Sequence, residues 1–294
     1  MKQMAQWWQP LHKVILIYSL ATFLILLFTP FTPNDIKQMF WPRLLVIGYL
    51  GLLPFVRKIG RTLADVSDLI WALALLGFFY KETAILNQTF YMWDVLFIQA
   101  DHWLTGTQPS LVFSSVLSSR WIADVFYLGY FSYYFMTVGV SLIFYRRCQD
   151  RYKQLFFIII TSFLLYYLLF ALFKTVGPQF YFPAPNNQPP PGVFFAKAMH
   201  FIQKIGEVPT GAFPSSHVGM TMVFLWLSFK HYRPMYWVLL PFAMLLIPAT
   251  VYIKAHYLVD VLAGIISGFI LLYLSTLIWN LLSKANPSIH DTNH

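Results

Sequence analysis

Residues 154–174 read QLFFIIITSFLLYYLLFALFK, a stretch that carries no charge before its final lysine. A helix needs about 20 consecutive apolar residues to cross the hydrocarbon core of a bilayer. Similar runs recur along the 294 residues, of which 58% are hydrophobic and only 11% are charged. Soluble domains typically contain about 25% charged residues. The sequence therefore predicts a membrane protein built from apolar helices and excludes a water-soluble globule.

Proline, glycine and charged residues divide the apolar sequence into separate membrane segments. About eight segments are predicted, at residues 11–29, 42–56, 67–86, 121–145, 154–174, 214–229, 235–254 and 256–282. The first apolar run, residues 15–28, is followed by Thr-Pro-Phe-Thr-Pro and not by a small-residue cleavage site, so we expect it to remain as a span. The aromatic stretch 89–104 contains Asp94 and Asp101, and we expect it to lie in the membrane interface. The predicted fold is an all-α polytopic membrane bundle.

Short clusters of basic residues follow every second predicted segment. They are Arg57, Lys58 and Arg61; Arg146, Arg147, Arg151 and Lys153; Lys230 and Arg233; and Lys284. Short basic loops remain in the cytoplasm, so these loops and both termini are expected there. Because the net charge of +9 is spread over such loops, it indicates membrane topology and no nucleic-acid partner. We expect a multi-pass protein of a bacterial inner membrane.

The loop at residues 175–213 is much longer than most of the others and lies on the opposite, extracytoplasmic side. Loops longer than about 15 residues are usually functional or disordered. Its first half is rich in proline, with three consecutive prolines at 189–191, and cannot form a regular helix. Polar and apolar side chains segregate along residues 193–205, which predicts a short helix in the membrane interface.

Two polar segments, residues 211–217 and 252–260, interrupt the apolar pattern at predicted outer helix ends. The first reads GAFPSSH, so we expect a helix to begin at Pro214 or Ser215. The unpaired N–H groups of a helix start, with the hydroxyls of Ser215 and Ser216, are suited to bind an anion. Ordinary N-capping, worth about 1 kcal/mol, is the simpler explanation for the serines alone.

The second segment places His256 and Asp260 four residues apart. If this segment is helical, the two side chains share one face and can meet. Asp260 would lie about one turn inside the membrane, where an unpaired charge costs several kcal/mol, so a functional role is expected. A carboxylate bonded to one imidazole nitrogen leaves the other nitrogen free to attack a substrate or to bind a metal. A structural His-Asp pair is the alternative.

Together these residues provide the parts needed for phosphoryl transfer. We predict that His256 is the nucleophile, that Asp260 orients it, and that His217 is the acid for the leaving oxygen. Ser215 and Ser216, with backbone N–H groups, would bind the phosphate. A metal site formed by the two histidines and Asp260, or a transporter, is the rival interpretation. The polar groups gather at one membrane face, which favours the enzyme, and neither a metal nor another cofactor is expected.

At these residues the chain resembles the type 2 phosphatidic acid phosphatase superfamily. The second motif of that superfamily, Pro-Ser-Gly-His, is similar to residues 214–217, with Ser216 in the glycine position. Its third motif ends in His, three residues and Asp, as do His256 and Asp260. The resemblance implies a six-helix phosphatase-like core and a phosphohistidine on His256. It also implies support from Asp260 and acid-base catalysis by His217.

Two departures from the family pattern remove positive charge. An arginine is usual six residues before the third-motif histidine, where this chain has Thr250. In the first motif, Lys174 and Gln179 stand where basic residues are expected, and glutamine donates hydrogen bonds without a charge. Lys174 and Lys254 are the candidates for the missing phosphate-binding charge, and Arg120 is a weaker candidate. Each of them can also be an ordinary basic side chain that extends to the membrane interface.

The residues around both motifs are similar to the branch that contains inositol phosphorylceramide synthases. The similarity lies in residues 213–215 ahead of His217 and residues 250–252 ahead of His256. Members of this branch include transferases that pass a phosphoryl-headgroup to another lipid. The resemblance thus leaves two reactions open: hydrolysis of a lipid phosphate or diphosphate, and transfer to a lipid alcohol acceptor. In both, the partners are a membrane lipid and the bilayer.

The resemblance covers roughly residues 120–282. We therefore expect N-terminal membrane helices and an interfacial segment at 1–110, a catalytic membrane domain at 111–282 and a cytoplasmic tail at 283–294. Cys148 is the single cysteine, so no intrachain disulfide and no cysteine-based metal site is expected.

Overall fold

The computed structural model of the protein describes residues 9–284, without the side chain of Asn34. Over this range the chain forms helices and no β-strand. The predicted tail at 283–294 lies outside the described residues from residue 285 onwards. The helices are α1 (Pro10–Leu26), α2 (Pro33–Ile59), α3 (Arg61–Leu86), α4 (Asp94–Thr105), α5 (Pro109–Val116), α6 (Arg120–Arg147), α7 (Tyr152–Leu172), α8 (Pro178–Tyr181), α9 (Phe195–Gly206), α10 (Ser216–His231), α11 (Arg233–Tyr252) and α12 (Leu258–Lys284).

Each of the predicted membrane segments coincides with a helix. Six helices, α2, α3, α6, α7, α11 and α12, are long and apolar enough to cross a bilayer. Helix α1 is a shorter apolar helix, and α10 has 16 residues. A multi-pass helical membrane bundle is therefore confirmed. The count of eight spans and the cytoplasmic position of the termini remain predictions.

Helix α2 is much longer than its prolines suggested. We predicted a span at 42–56, but α2 begins at Pro33 and continues to Ile59 with Pro42 and Pro54 inside it. Proline is tolerated within membrane helices because neighbouring groups satisfy the carbonyls that it leaves free. At Pro33 the missing N–H is no loss, because the first turn of a helix has no partner for it.

The uncharged stretch at residues 154–174 forms α7, and the helix lies in the middle of the bundle. Its Phe157, Ile159 and Ile160 side chains are fully buried, and α3, α10 and α12 pack against it. A helix that is apolar on every side is expected where every side is covered. The hydroxyls of Ser162 in α7 and Ser275 in α12 lie 3.0 Å apart and satisfy each other within the core.

Two buried charged clusters join the N-terminal helices α1 to α3. In the first, Arg43 pairs with Glu82 and donates to the Thr22 hydroxyl at 2.7 Å. In the second, at the other end of α3, the Asp68 carboxylate lies 2.9 Å from Nε2 of His12. Charged side chains inside a membrane bundle are stable when they are paired in this way.

Helices α10 and α12 cross at a close contact formed by glycines. A Cβ atom on Gly268 would lie 2.6 Å from the carbonyl oxygen of Gly219, and one on Gly264 would lie 2.7 Å from that of Ser215. Small residues four positions apart let membrane helices approach this closely. Towards the helix starts, the Ser215 N–H donates to the carbonyl oxygen of Asp260 at 3.0 Å. The crossing therefore holds the beginnings of α10 and α12 side by side.

Short helices and the long loop cover the end of the bundle where α10 and α12 begin. Helix α9 confirms the helix predicted at 193–205, and its Phe201 and Ile205 side chains are exposed. Most of α4 comes from the stretch 89–104, whose expected position in the membrane interface remains a prediction. Asp94 and Asp101 are fully buried. Backbone N–H groups surround both carboxylates and compensate their loss of water.

Candidate active site

A cleft opens at the end of the bundle where α10 and α12 begin. The basic loops that follow α2, α6 and α10 lie at the opposite end of the bundle from this cleft. Four of the predicted site residues line the cleft. The lining consists of Tyr80, Tyr130, Val176, Gln179, Phe180, Glu207, Val208, Thr210, Gly211, Ala212, Ser216, His217, Ala255 and His256.

His256 lies in the turn between α11 and α12. We predicted that His256 and Asp260 share a helix face, which is wrong, because α12 begins only at Leu258. Lys254 produces the turn with a φ of 65°, in the left-handed region. The His256 N–H then donates to the carbonyl oxygen of Thr250 at 3.0 Å and closes it.

The protonation of His256 follows from its hydrogen bonds. Its Nδ1 lies 2.8 Å from the carbonyl oxygen of Ala212, and because a carbonyl oxygen can only accept, Nδ1 carries the ring proton. The lone pair is on Nε2, which lies 3.4 Å from Nδ1 of His217. Burial lowers the pKa of His256 to about 4, against the opposing effects of the Ala212 hydrogen bond and the Glu207 charge. At neutral pH the imidazole is therefore uncharged, which is the form that a nucleophilic histidine requires.

Asp260 does not make the hydrogen bond to the imidazole that we predicted. Its Oδ2 lies 3.6 Å from Nδ1 of His256, which is beyond hydrogen-bonding distance. The same oxygen accepts the N–H of Tyr257 at 2.9 Å, and Oδ1 has no partner among the described residues. Ala212 therefore fixes the imidazole tautomer, whereas Asp260 shapes the backbone that carries His256.

His217 lies in the first turn of α10, and two tyrosines of α6 fix its ring. The ring centroids of Tyr130 and Tyr133 lie 4.6 and 4.3 Å from that of His217. Because Nε2 of His256 has only a lone pair, Nδ1 of His217 is the donor between the two rings. The structure thus brings together the two histidines that the sequence selected, with a proton placed between them.

The two serines have different positions. Ser215 is the N-cap of α10, and its buried hydroxyl accepts the N–H of Val218 at 3.4 Å, so it performs the ordinary capping role. Ser216 lines the cleft. The N–H groups of Ser216 and His217 have no acceptor among the described residues. Two amides at a helix start are therefore available to an anion in the cleft.

The predicted lysines are directed away from the cleft. The Nζ atom of Lys174 donates to the Gln88 carbonyl oxygen at 3.4 Å, and that of Lys254 donates to the Asn186 carbonyl oxygen at 2.6 Å. Arg120 is exposed at the start of α6. Within residues 9–284, no lysine or arginine lines the cleft. Gln179, in α8, does line the cleft, and the bond from its N–H to the Lys254 carbonyl oxygen at 2.9 Å fixes its position.

Glu207 is a cleft residue that the sequence analysis did not select. It follows α9 directly and lines the cleft beside Gln179. Burial raises the pKa of Glu207, while the Gln179 amide and a positive charge on His256 oppose this effect. Glu207 is the sole acidic residue of the loop at 175–213. Its position as an isolated acidic residue in a loop rich in prolines and aromatic residues is the feature of the sequence that could have indicated a functional role.

The arrangement provides a neutral nucleophile, a proton donor beside it and two open amides. These are the groups required to form and break a bond to phosphorus. Across the described residues, no group of three or more His, Cys, Asp and Glu side chains is arranged to hold a metal ion, and this includes the two histidines with Asp260.

Comparison with known proteins gives one match. The family model of the PAP2 superfamily matches residues 96–274, which is more than half of the chain and includes His217 and His256. The matched region begins ahead of the domain boundary that we predicted at residue 111. No curated protein and no solved structure matches the chain. The motifs, the cleft and this match lead to the same conclusion: the chain belongs to the PAP2 superfamily, whose members hydrolyse or transfer phosphoesters.

Proposed function

We propose that the protein is an integral membrane lipid phosphatase. It removes phosphate from a lipid phosphate or diphosphate through a phosphohistidine on His256, at the extracytoplasmic face. The observation that carries this proposal is the pair of contacts made by the His256 ring. Ala212 holds the proton on Nδ1, and the free Nε2 lies 3.4 Å from the donor atom of His217.

In the first step, Nε2 of His256 attacks the phosphorus atom. The N–P bond forms and the bond between phosphorus and the lipid oxygen breaks. His217 enters the step as an imidazolium, gives its Nδ1 proton to that oxygen and becomes neutral. The Ala212 carbonyl oxygen stabilises the positive charge that the imidazole gains. The lipid leaves as an alcohol from a monophosphate, or as a lipid monophosphate from a diphosphate.

In the second step, a water molecule attacks the phosphorus atom of the phosphohistidine. The P–N bond breaks, its electron pair returns to Nε2 of His256, and the proton of the water passes to Nδ1 of His217. The open N–H groups of Ser216 and His217 and the amide of Gln179 bind the phosphate oxygens in both steps.

The surroundings of the cleft support a lipid as the substrate. Phe180 of its lining is exposed, and the neighbouring α9 exposes Phe201 and Ile205. A helix with an apolar face of this kind lies in the membrane interface. The cleft lies at the end of the bundle away from the basic loops, and such loops remain in the cytoplasm, which supports an extracytoplasmic site.

Transfer of a phosphoryl-headgroup to a lipid alcohol is the second candidate, and the charge of the cleft favours it. Glu207 lines the cleft, and no lysine or arginine of the described residues does. A phosphate monoester carries up to two negative charges but a phosphodiester carries one, so the diester meets less repulsion. Transfer also requires that water be excluded. The loop that covers the cleft is fixed to α6 by the bond from the Tyr127 hydroxyl to the Pro190 carbonyl oxygen at 2.9 Å.

The test uses purified protein in detergent with a chelator present. Phosphatidic acid, a polyprenyl diphosphate and phosphatidylinositol are each supplied with and without ceramide or diacylglycerol, and free phosphate and new phospholipids are measured. Free phosphate without an acceptor, lost in His256→Ala, is expected for a phosphatase. A new phospholipid that appears only with an acceptor would establish the transferase. Full activity in a folded His256→Ala variant would overturn both.

A further inference from the structure

Two carboxylates outside the motifs, those of Asp94 and Asp101 in α4, bind the residues that directly follow His256 and the beginning of the long loop beside it. Both side chains are fully buried. Together they accept six hydrogen bonds, four of which come from backbone N–H groups. Burying a carboxylate is costly unless such bonds replace its water. Their partners are concentrated where α12 begins and where α7 leads into the long loop.

Asp101 binds the start of α12. Its Oδ1 accepts the N–H of Val259 at 2.8 Å, and its Oδ2 accepts the N–H of Leu258 at 3.0 Å. These N–H groups belong to the first turn, where a helix offers them no acceptor of its own. Leu258 is two residues from His256 along the chain. Asp101 therefore fixes the point from which the His256 turn departs.

Asp94 joins the same turn to the opposite wall of the cleft. Its Oδ1 accepts the hydroxyl of Tyr257 at 2.9 Å and the N–H of Gly177 at 3.0 Å, and its Oδ2 accepts the N–H of Val176 at 3.1 Å. The two walls touch here, because a Cβ atom on Gly177 would lie 2.8 Å from the carbonyl oxygen of Ala255. Asp94 thus holds together two segments that both contribute to the cleft lining.

We infer that Asp94 and Asp101 are positioning residues for the nucleophile, a role that rests on the proposed function of His256. Neither carboxylate bonds to the imidazole. Asp101 acts through the backbone that follows His256. Asp94 acts through the Tyr257 hydroxyl and through the segment at Gly177, which contacts Ala255. The contacts of His256 with Ala212 and His217 depend on where its backbone lies. A displacement of the reacting group by about 1 Å can lower the rate about 100-fold.

The test separates the chemical step from binding and folding. Full-length Asp94→Asn and Asp101→Asn variants retain side-chain size, but each loses one acceptor oxygen. They are mixed in detergent with phosphatidic acid or phosphatidylinositol radiolabelled at phosphorus, and the rate of label transfer to the protein is measured with kcat and KM. We expect the label-transfer rate and kcat to fall about 10- to 100-fold. KM should change by less than about threefold, because no substrate contact is removed.

Asp68 provides a matched control. It is also a buried carboxylate in a hydrogen-bonded cluster, but it lies about 18 Å along α3 from Tyr80 of the cleft. Asp68→Asn should lower the thermal unfolding midpoint and leave kcat per folded molecule unchanged. Tyr257→Phe keeps every backbone bond of Asp94 and removes only the hydroxyl bond. It should lower the label-transfer rate about threefold without a change in KM, which also tests the inference if an Asn variant does not fold.

Two results would overturn the positioning role. The first is that Asp94→Asn and Asp101→Asn lower only the unfolding midpoint, as expected for Asp68→Asn. The second is that kcat of the two Asn variants falls only in proportion to their folded fraction, while Tyr257→Phe has the wild-type label-transfer rate. A wild-type protein that takes up no label, or a His256→Ala variant that still does, would instead refute the proposed function, independently of the aspartates.

Discussion

The carbonyl oxygen of Ala212, and not the carboxylate of Asp260, bonds to Nδ1 of His256, at 2.8 Å. Ala212 lies five residues before His217, in the segment that leads into α10. The same short segment therefore sets the tautomer of His256 and carries His217, the proposed acid. Because the bonding group belongs to the backbone, the tautomer should survive changes in the neighbouring side chains.

Replacement of Asp260 tests this assignment. In Asp260→Asn, the remaining side-chain oxygen can still accept the Tyr257 N–H, so kcat should fall by no more than about tenfold. Asp260→Ala removes the acceptor and lets the turn shift, and kcat should fall about 100-fold. A carboxylate that sets the tautomer is worth about 10⁴-fold in kcat. A loss of that size in a folded Asn variant would show that Asp260, and not Ala212, controls the imidazole.

His217→Gln should lower turnover of a lipid phosphate about 10²- to 10⁴-fold, the usual contribution of a general acid. Formation of the phosphoenzyme from p-nitrophenyl phosphate should fall much less, because p-nitrophenolate leaves without a proton. His231, in the last turn of the same helix, provides the control, and His231→Ala should have wild-type kinetics. Equal losses on both substrates would mean that His217 is not the acid.

The pH dependence of the protein should reflect the buried imidazole. Burial lowers the pKa of His256 from its usual value of 6.5 to about 4, so the unfolded chain binds this proton below 6.5 and the folded chain only below about 4. Between these values the unfolded state holds more protons. The contribution of His256 to stability therefore rises with pH across this window and is constant above it, and His256→Ala should abolish this part of the profile.

The same shift has a kinetic consequence. Phosphoenzyme formation from p-nitrophenyl phosphate should keep its rate from pH 7 down to pH 5, because the imidazole stays neutral above about 4. Stopped-flow measurement of p-nitrophenolate release checks this. A decline with a midpoint near 6.5 would indicate that water reaches the ring.

Glu207→Gln should change the preference for substrate charge. Removing the carboxylate takes a negative charge from the cleft, so KM for phosphatidic acid should fall about threefold to tenfold, with a smaller effect on phosphatidylinositol. Gln179→Glu adds a charge to the same cleft and should have the opposite effect. A large loss of kcat in Glu207→Gln with unchanged KM would instead identify Glu207 as the base for the attacking hydroxyl.

The helices and the pair of histidines were predictable because their signals are local. A run such as residues 154–174 needs no knowledge of the rest of the chain, and neither does a proline and two serines ahead of His217. The aspartates of α4 gave no such signal, since the Tyr257 hydroxyl that Asp94 accepts comes from 163 residues further along the chain. Only the assembled bundle places the carboxylates of this segment beside the turn that carries His256.

The directions of the lysine side chains could not be predicted from the sequence either. Lys254 was a candidate for the phosphate-binding charge because it is expected on the outer face. In the structure it has a left-handed φ of 65°, and its side chain is directed to Asn186 and not to the cleft. The direction of a side chain in a tight turn depends on one backbone angle, which the residue type does not specify. The positive charge expected from the family pattern therefore has no counterpart among the described residues that line the cleft.

The glycine contact between α10 and α12 links the reaction centre to the mechanics of the bilayer. Each histidine stands near the start of its helix or directly before it, and the helices touch backbone to backbone at Gly219 and Gly268. With no side chain between them to deform, a tilt of one helix changes the gap between the two rings. We therefore expect lipid thickness and lateral pressure, which act on helix tilt, to change the spacing of His256 and His217.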